Sequence, residues 1–172
     1  IEADNNAENN DAAPRSNPTL ANVTIIGSPN SDASDIGMQI REGTAATILN
    51  TAVIGFNESC LDIDHDATWA QTDNGTLTLN AVHLACAENF TNDDDNGAND
   101  IEGWFDSLDG NAVNSFTLAD PYTLTAPDYT ATFTSTPTVA TPTDSRIDAV
   151  DFVGAIQDGD DWTAGWTAHE LN

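Results

Sequence analysis

Carboxylates and amides at alternating spacing are the first residues of this sequence that could do chemistry. The stretch "NDDDNG" (92 to 97) sets Asn92, Asp94 and Asn96 before Gly97, and Asp100 follows. Hard oxygen ligands alternating around a sharp glycine turn suit Ca²⁺. The pattern is incomplete, because Gly103 stands where a bidentate Glu is expected. A second stretch, "DIDHDATWAQTD" (62 to 73), has Asp62, Asp64, Asp66 and Asp73 at similar spacing, with Ala67 in place of the turn glycine. Each stretch also reads plainly as a solvated acidic turn. Ca²⁺ is the cofactor expectation, and no other cofactor is indicated.

Arg41 is one of three cations in the chain. It falls in register with Asp4 and Asp64, so an ion pair in the wall of the fold is the preferred reading. A lyase would use Arg41 as base, with aspartate-held Ca²⁺ acidifying a uronate. A glycoside hydrolase would use Asp62 and Asp64, roughly 6–7 Å apart on one strand face. Against both, an anionic surface repels anionic polymers, and no second basic residue holds a substrate carboxylate. His65, His83 and His169 form no constellation. No Ser/His/Asp, Cys/His or phosphate-loop motif is present, so no catalytic residue is assigned.

The elements that must position these groups are written as repeats. "TLANVTIIG" (19 to 27), "TILNTAVIG" (47 to 55) and "LTLNAVHLA" (77 to 85) align on Asn22, Asn50 and Asn80, at intervals of 28 and 30 residues. "IEAD", "MQIR" and "LDID" precede them, with apolar residues in first and third places. That alternation marks short strands with one buried face. Strand, turn, longer strand and loop, repeated at this period, indicate a β-solenoid. Stacked coils bring equivalent residues about 4.8 Å apart. Asn22, Asn50 and Asn80 are therefore expected in one column, as a structural amide ladder. In this alignment His83 takes the place of Ile25 and Val53, a partly buried wall position. Four Asn-x-Ser/Thr triplets, at Asn22, Asn57, Asn74 and Asn89, are chance matches in so Asn- and Thr-rich a chain.

Beyond Cys86 the pattern changes. Ile101, Trp104, Phe105 and Leu108 fall on one face of a short helix near 100–109, with Asn99 or Asp100 as N-cap and Gly110 as stop. The Thr/Pro-rich stretch 119–145 reads as an extended segment or linker. The tail 146–172 is expected to dock through a strand containing Ile147, Val150, Phe152, Val153 and Ile156. Trp162 and Trp166, four apart, read as pins for this tail, with a sugar-stacking platform as the alternative. The layout is thus coils over 1–118, the extended segment, and the docking tail.

The chain has 172 residues, 29 acids, three Arg and no Lys, for a net charge of −26. Nucleic acid is excluded as a partner, since its phosphates need a basic surface. Anionic membrane surfaces are a poor match, and no apolar run has the length of a membrane span. High salt, bound Ca²⁺ and disorder each accommodate such acidity. Cys60 and Cys86 fit one disulfide in an exported protein, with two buried thiols as the alternative. Ile1 is not an initiator Met, and no signal peptide is present, so the chain reads as a mature or trimmed product.

"IEADNN…NND…PRSNPTL", "REGT", "LDID" and "DFVGAI…DWTAGWT" together resemble a family of secreted β-helix proteins of marine bacteria, often described as lipoproteins or surface proteins. The resemblance spans nearly the whole chain. It implies an all-β, right-handed parallel β-helix of the pectin-lyase-like superfold, with one short helix and an extended C-terminal segment. It implies no defined activity. In that family this region is the C-terminal part of a longer helix, so upstream coils are expected before Ile1. Alternatively, an uncapped first coil would let copies stack head to tail into a filament. An extracellular surface or structural role is the leading expectation, and a carbohydrate-binding or polysaccharide-degrading role is the alternative.

Overall fold

The computed structural model describes residues 1–91, 99–123, 125–165 and 167. The chain alternates between two parallel sheets. β1 (Glu2–Asp4), β3 (Ile36–Arg41) and β5 (Ser59–Ile63) form the first, in that order. β2 (Thr19–Ile26), β4 (Ala46–Ile54), β6 (Leu77–Ala85) and β7 (Ala112–Val113) form the second. The short strands stack as their alternation requires. Ala3 lies beside Ile40 and Ile40 beside Ile63, while Met38 lies beside Leu61. The hydrogen-bonded units are two separate sheets rather than one closed wall.

The main core fills the space between the sheets. Met38, Ile40, Leu61 and Ile63 meet Ile48, Val53, Leu77, Leu79, Val82 and Leu84 there, all at most 2% exposed. In β4, Ala46 and Ile48 face this core, and so does Val53, an odd number of residues further on. Period-two alternation forbids that unless the phase slips. It slips at Asn50, whose φ of 48° is left-handed. Asn22 (φ 59°) and Ala81 (φ 56°) do the same in β2 and β6. Each long strand thus turns a corner on a single residue.

This geometry corrects the three-Asn column. Leu49 pairs with Asn80, and Thr51 with Val82, so Ala81 stands over Asn50. The column is Asn22, Asn50, Ala81. Asn80 sits one place early and lies outside it. The second interval is therefore 31 residues, not 30, because the corner conformation sets the register rather than the amide. His83 shifts accordingly. It aligns with Ala52 and Thr24, and is 3% exposed.

Among the described residues there are two helices where one was expected. α1 (Asp66–Asp73) occupies the second candidate calcium loop, so those aspartates do not encircle a common centre. Thr68, Trp69 and Gln71 are buried on one side of the helix, but two of the three are polar, so no apolar stripe announced it. Thr68 Oγ1 accepts from Gly43 N at 2.9 Å and ties α1 to the turn after β3. α2 (Ile101–Asp106) lies where it was predicted, with Ile101 and Phe105 buried.

A second, smaller core covers the outer face of the β2–β4–β6 sheet. Ala52 and Ala81 meet Phe116, Leu118 and Val153 there. β8 (Phe116–Asp120) and β9 (Asp128–Phe133) form an antiparallel hairpin over it, within a stretch read as extended. The tail docks without forming the expected strand. Gly154 N donates to Asn50 O at 2.8 Å, and Ala155 N to Thr24 Oγ1 at 2.9 Å. Backbone groups of the tail are thus satisfied by the corner residue Asn50 and by Thr24 of β2.

Candidate functional site

The residues with catalytic potential are separated and engaged. Arg41 Nε donates to Asp4 Oδ1 at 3.0 Å, and its Nη2 to Glu2. The carboxylates beside it, Asp4 first, raise its pKa further. Asp64 instead meets His65 at 3.3 Å. Asp62, expected on an outer face, is 2% exposed and accepts from Gln39 Nε2 at 3.1 Å. The second partner of a carboxylate pair is therefore withdrawn from solvent.

Asn92, Asp94 and Asn96 lie outside the described residues. Asp100 caps α2, accepting from Gly103 N at 2.9 Å. Among the described residues, no group of three or more His, Cys, Asp or Glu side chains gathers to hold a metal. Cys60 and Cys86 are joined in a disulfide. His83 Nδ1 and Ser115 Oγ are 2.6 Å apart, but Phe133 and Phe116 close the imidazole in edge-on at 5.0 and 6.5 Å. Burial lowers the His83 pKa. The imidazole, 3% exposed, is shielded from solvent.

The open site is elsewhere, where the β8–β9 turn and the tail meet the end of β2. A cleft of about 680 Å³ opens there. Tyr122, Tyr129 and Trp162 line it, with Ser28, Ser31, Ser34, Thr24 and Thr163 supplying hydroxyls. Tyr122 and Trp162, 45% and 53% exposed, are two of the three large exposed hydrophobic residues among those described. Trp162 Nε1 donates to Ala155 O at 2.6 Å, so the indole is anchored by its edge. That bond runs within the tail, from one tail residue to another, and the exposed ring contributes to the cleft. Trp166 lies outside the described residues.

Two glycines shape the floor. A Cβ on Gly27 would come within 2.6 Å of Gly55 O and 2.8 Å of the Phe56 ring. A Cβ on Gly55 would overlap Tyr122 Oη. The phenol therefore rests on a position that only glycine leaves open. Desolvation pushes the Tyr122 pKa up, so it is a neutral O–H donor at ordinary pH. Ser34 Oγ accepts from Ser28 N at 2.8 Å, and Thr24 Oγ1 accepts from Ala155 N at 2.9 Å. Each hydroxyl keeps its own hydrogen to donate. Fixed aromatic faces with convergent hydroxyls are the groups from which binding surfaces are built.

Tyr122, Tyr129 and the three serines were missed from the sequence. The serines sit in the loop "GSPNSDASDIG", whose Gly, Pro, Asn and Ser residues signal turns, and the tyrosines lie about 90 to 100 residues later near prolines.

Residues 1–167 match the family described as "Pectate-lyase like beta helix domain", and the chain belongs to it. No curated protein and no solved structure matches. Among the described residues no helix is long and apolar enough to cross a membrane. The head-to-tail filament expected from the sequence draws no support from the structure.

Proposed function

We propose that this chain is a polysaccharide-binding domain, built on a right-handed β-helix and acting outside the cell, that holds its ligand without cleaving it. The observation that carries this reading is the cleft in which Tyr122 and Trp162 stay exposed beside a row of hydroxyls. Exposing two large aromatic side chains in one recess costs burial that folding would otherwise gain, and such patches mark interaction sites. Sugar rings offer one apolar face and peripheral hydroxyls, which match aromatic faces and Ser/Thr groups.

The family's own description names a lyase fold for a polysaccharide, which supports the ligand class. The engagement of Arg41 by Glu2 and Asp4, and the burial of Asp62, support binding over cleavage. Right-handedness rests on the strong bias of parallel crossover connections, right-handed in roughly 98% of cases. The Cys60–Cys86 bond supports an oxidising, extracellular setting.

Affinity electrophoresis tests this reading. The chain is run through gels containing neutral, uronate-rich or sulfated polysaccharides, alongside a reducing-end assay. Retardation by at least one polymer, with no new reducing ends, is expected. Unchanged mobility in every gel overturns the proposal.

A further inference from the structure

We infer that the cleft selects an uncharged saccharide and rejects uronates, although the chain belongs to a family described by a pectate lyase; this inference rests on the polysaccharide-binding reading above. The chain carries 29 acids, yet none of the described residues lining the cleft is charged. That neutrality is produced residue by residue.

Along the loop after β2, Ser28, Ser31, Ala33 and Ser34 line the cleft. Their interleaved neighbours Asp32 and Asp35 line a separate recess with Glu58. The tail sorts in the same way. Trp162 and Thr163 line the cleft, while Asp160 and Asp161 line an adjoining recess with Asp128. The two recesses place carboxylates beside the cleft but none in its lining. A neutral chain with hydroxyl groups fits this surface.

An anionic sugar meets two obstacles. Carboxylates lie in the recess that shares Tyr129 and Ile156 with the cleft and on the loop that lines it, so its own charge is repelled. No cation is placed to receive it either. All three arginines are engaged: Arg15 with Asp11, Arg41 with Glu2 and Asp4, and Arg146 with Asp144. There is no lysine. The cleft volume lies in the range of small-ligand sites, so the occupant is a short stretch of the polymer.

The test uses the full chain and two exposed-residue variants, Trp162→Ala and Tyr122→Ala. The probes are soluble β-glucan and galactomannan as neutral polymers, and polygalacturonate and alginate as uronates. The wild type should bind at least one neutral polymer and be indifferent to both uronates at physiological ionic strength. Each variant should lose neutral binding by at least about tenfold, with an unchanged melting midpoint. A third variant, Gly55→Ala, should weaken binding by displacing Tyr122 without removing any lining side chain.

Preference for polygalacturonate or alginate overturns the selectivity, while the general binding role stands. Neutral binding that survives both Trp162→Ala and Tyr122→Ala overturns the site, again leaving the general role. Binding to no polymer overturns both.

Discussion

Asn50 and Ala140 lie 90 residues apart and exchange two hydrogen bonds: Asn50 Nδ2 donates to Ala140 O at 2.9 Å, and Ala140 N donates to Asn50 Oδ1 at 2.7 Å. The same Nδ2 lies 3.2 Å from Asn22 Oδ1. One fully buried amide therefore joins the corner of β4 to the coil below it and to the Thr/Pro-rich segment outside the sheet. Because Asn50 also holds a left-handed backbone, it does what neither Gly nor Ala alone could do. The cleft depends on this fastening, since the tail that carries Trp162 reaches Asn50 O through Gly154 N.

Asn50→Ala should lower unfolding stability by about 3 kcal/mol or more. Lost hydrogen bonds, buried groups left unsatisfied and a left-handed alanine all contribute. Asn50→Gly keeps the backbone conformation and should lose less. Urea unfolding of both variants separates the side-chain part from the backbone part. Midpoints equal to wild type would show that the amide carries no stability.

His83 makes stability depend on pH. Burial holds its folded pKa below the ordinary value near 6.5, so the unfolded chain takes up the proton first. Its contribution is fully present above about pH 6.5 and is lost as the pH falls from there toward the folded pKa. Its Nε2 is buried and has no hydrogen-bond partner among the described residues, so the imidazolium would have nothing to donate to. Urea midpoints at pH 7, 6 and 5 should fall more steeply for wild type than for His83→Gln. Parallel slopes would remove His83 from the account.

Ala81 sits in the left-handed column without the amide that makes such a backbone comfortable. It also borders a recess of about 510 Å³ lined by Thr47, Asn80 and Asp109. Ala81→Asn should therefore match or exceed wild-type stability, despite placing an amide at a fully buried position. Ala52→Asn, equally buried but at an ordinary strand position, should lose at least about 2 kcal/mol. Similar losses in both variants would show that the corner conformation gives asparagine no advantage.

The repeats made the stacking legible, because two amides and the flanking aliphatic residues recur visibly. They also misplaced one strand. Asn80 looked like the third rung, but the rung is a backbone conformation, and in β6 an alanine adopts it. α1 left no trace because its buried side includes the polar Thr68 and Gln71, so no apolar stripe marks it. The cleft was hidden for a different reason. Its serines alternate with aspartates in a loop, and its aromatic residues come from segments about 90 to 130 residues away. Only Trp162 stood out, and its exposure next to Tyr122 follows from how the tail folds back. Composition showed an acidic chain. It gave no sign that the acids would be sorted away from one surface.

The disulfide should act mainly on the unfolded chain. Cys60 and Cys86 are 26 residues apart, and closing a loop of that length is worth about 3.5 kcal/mol in chain entropy. Cys60 is fully buried in the main core and Cys86 is half-buried against it, so attack at Cys60 requires the surrounding coils to open and attack at Cys86 is hindered. The double variant Cys60→Ala/Cys86→Ala should unfold at lower urea. It should also show a larger dependence on denaturant, because the uncrosslinked chain exposes more surface. Millimolar dithiothreitol should leave the wild type oxidised in buffer and reduce it rapidly near the unfolding midpoint. Fast reduction in buffer alone would show that the half-buried Cys86 leaves the bond open to attack without unfolding.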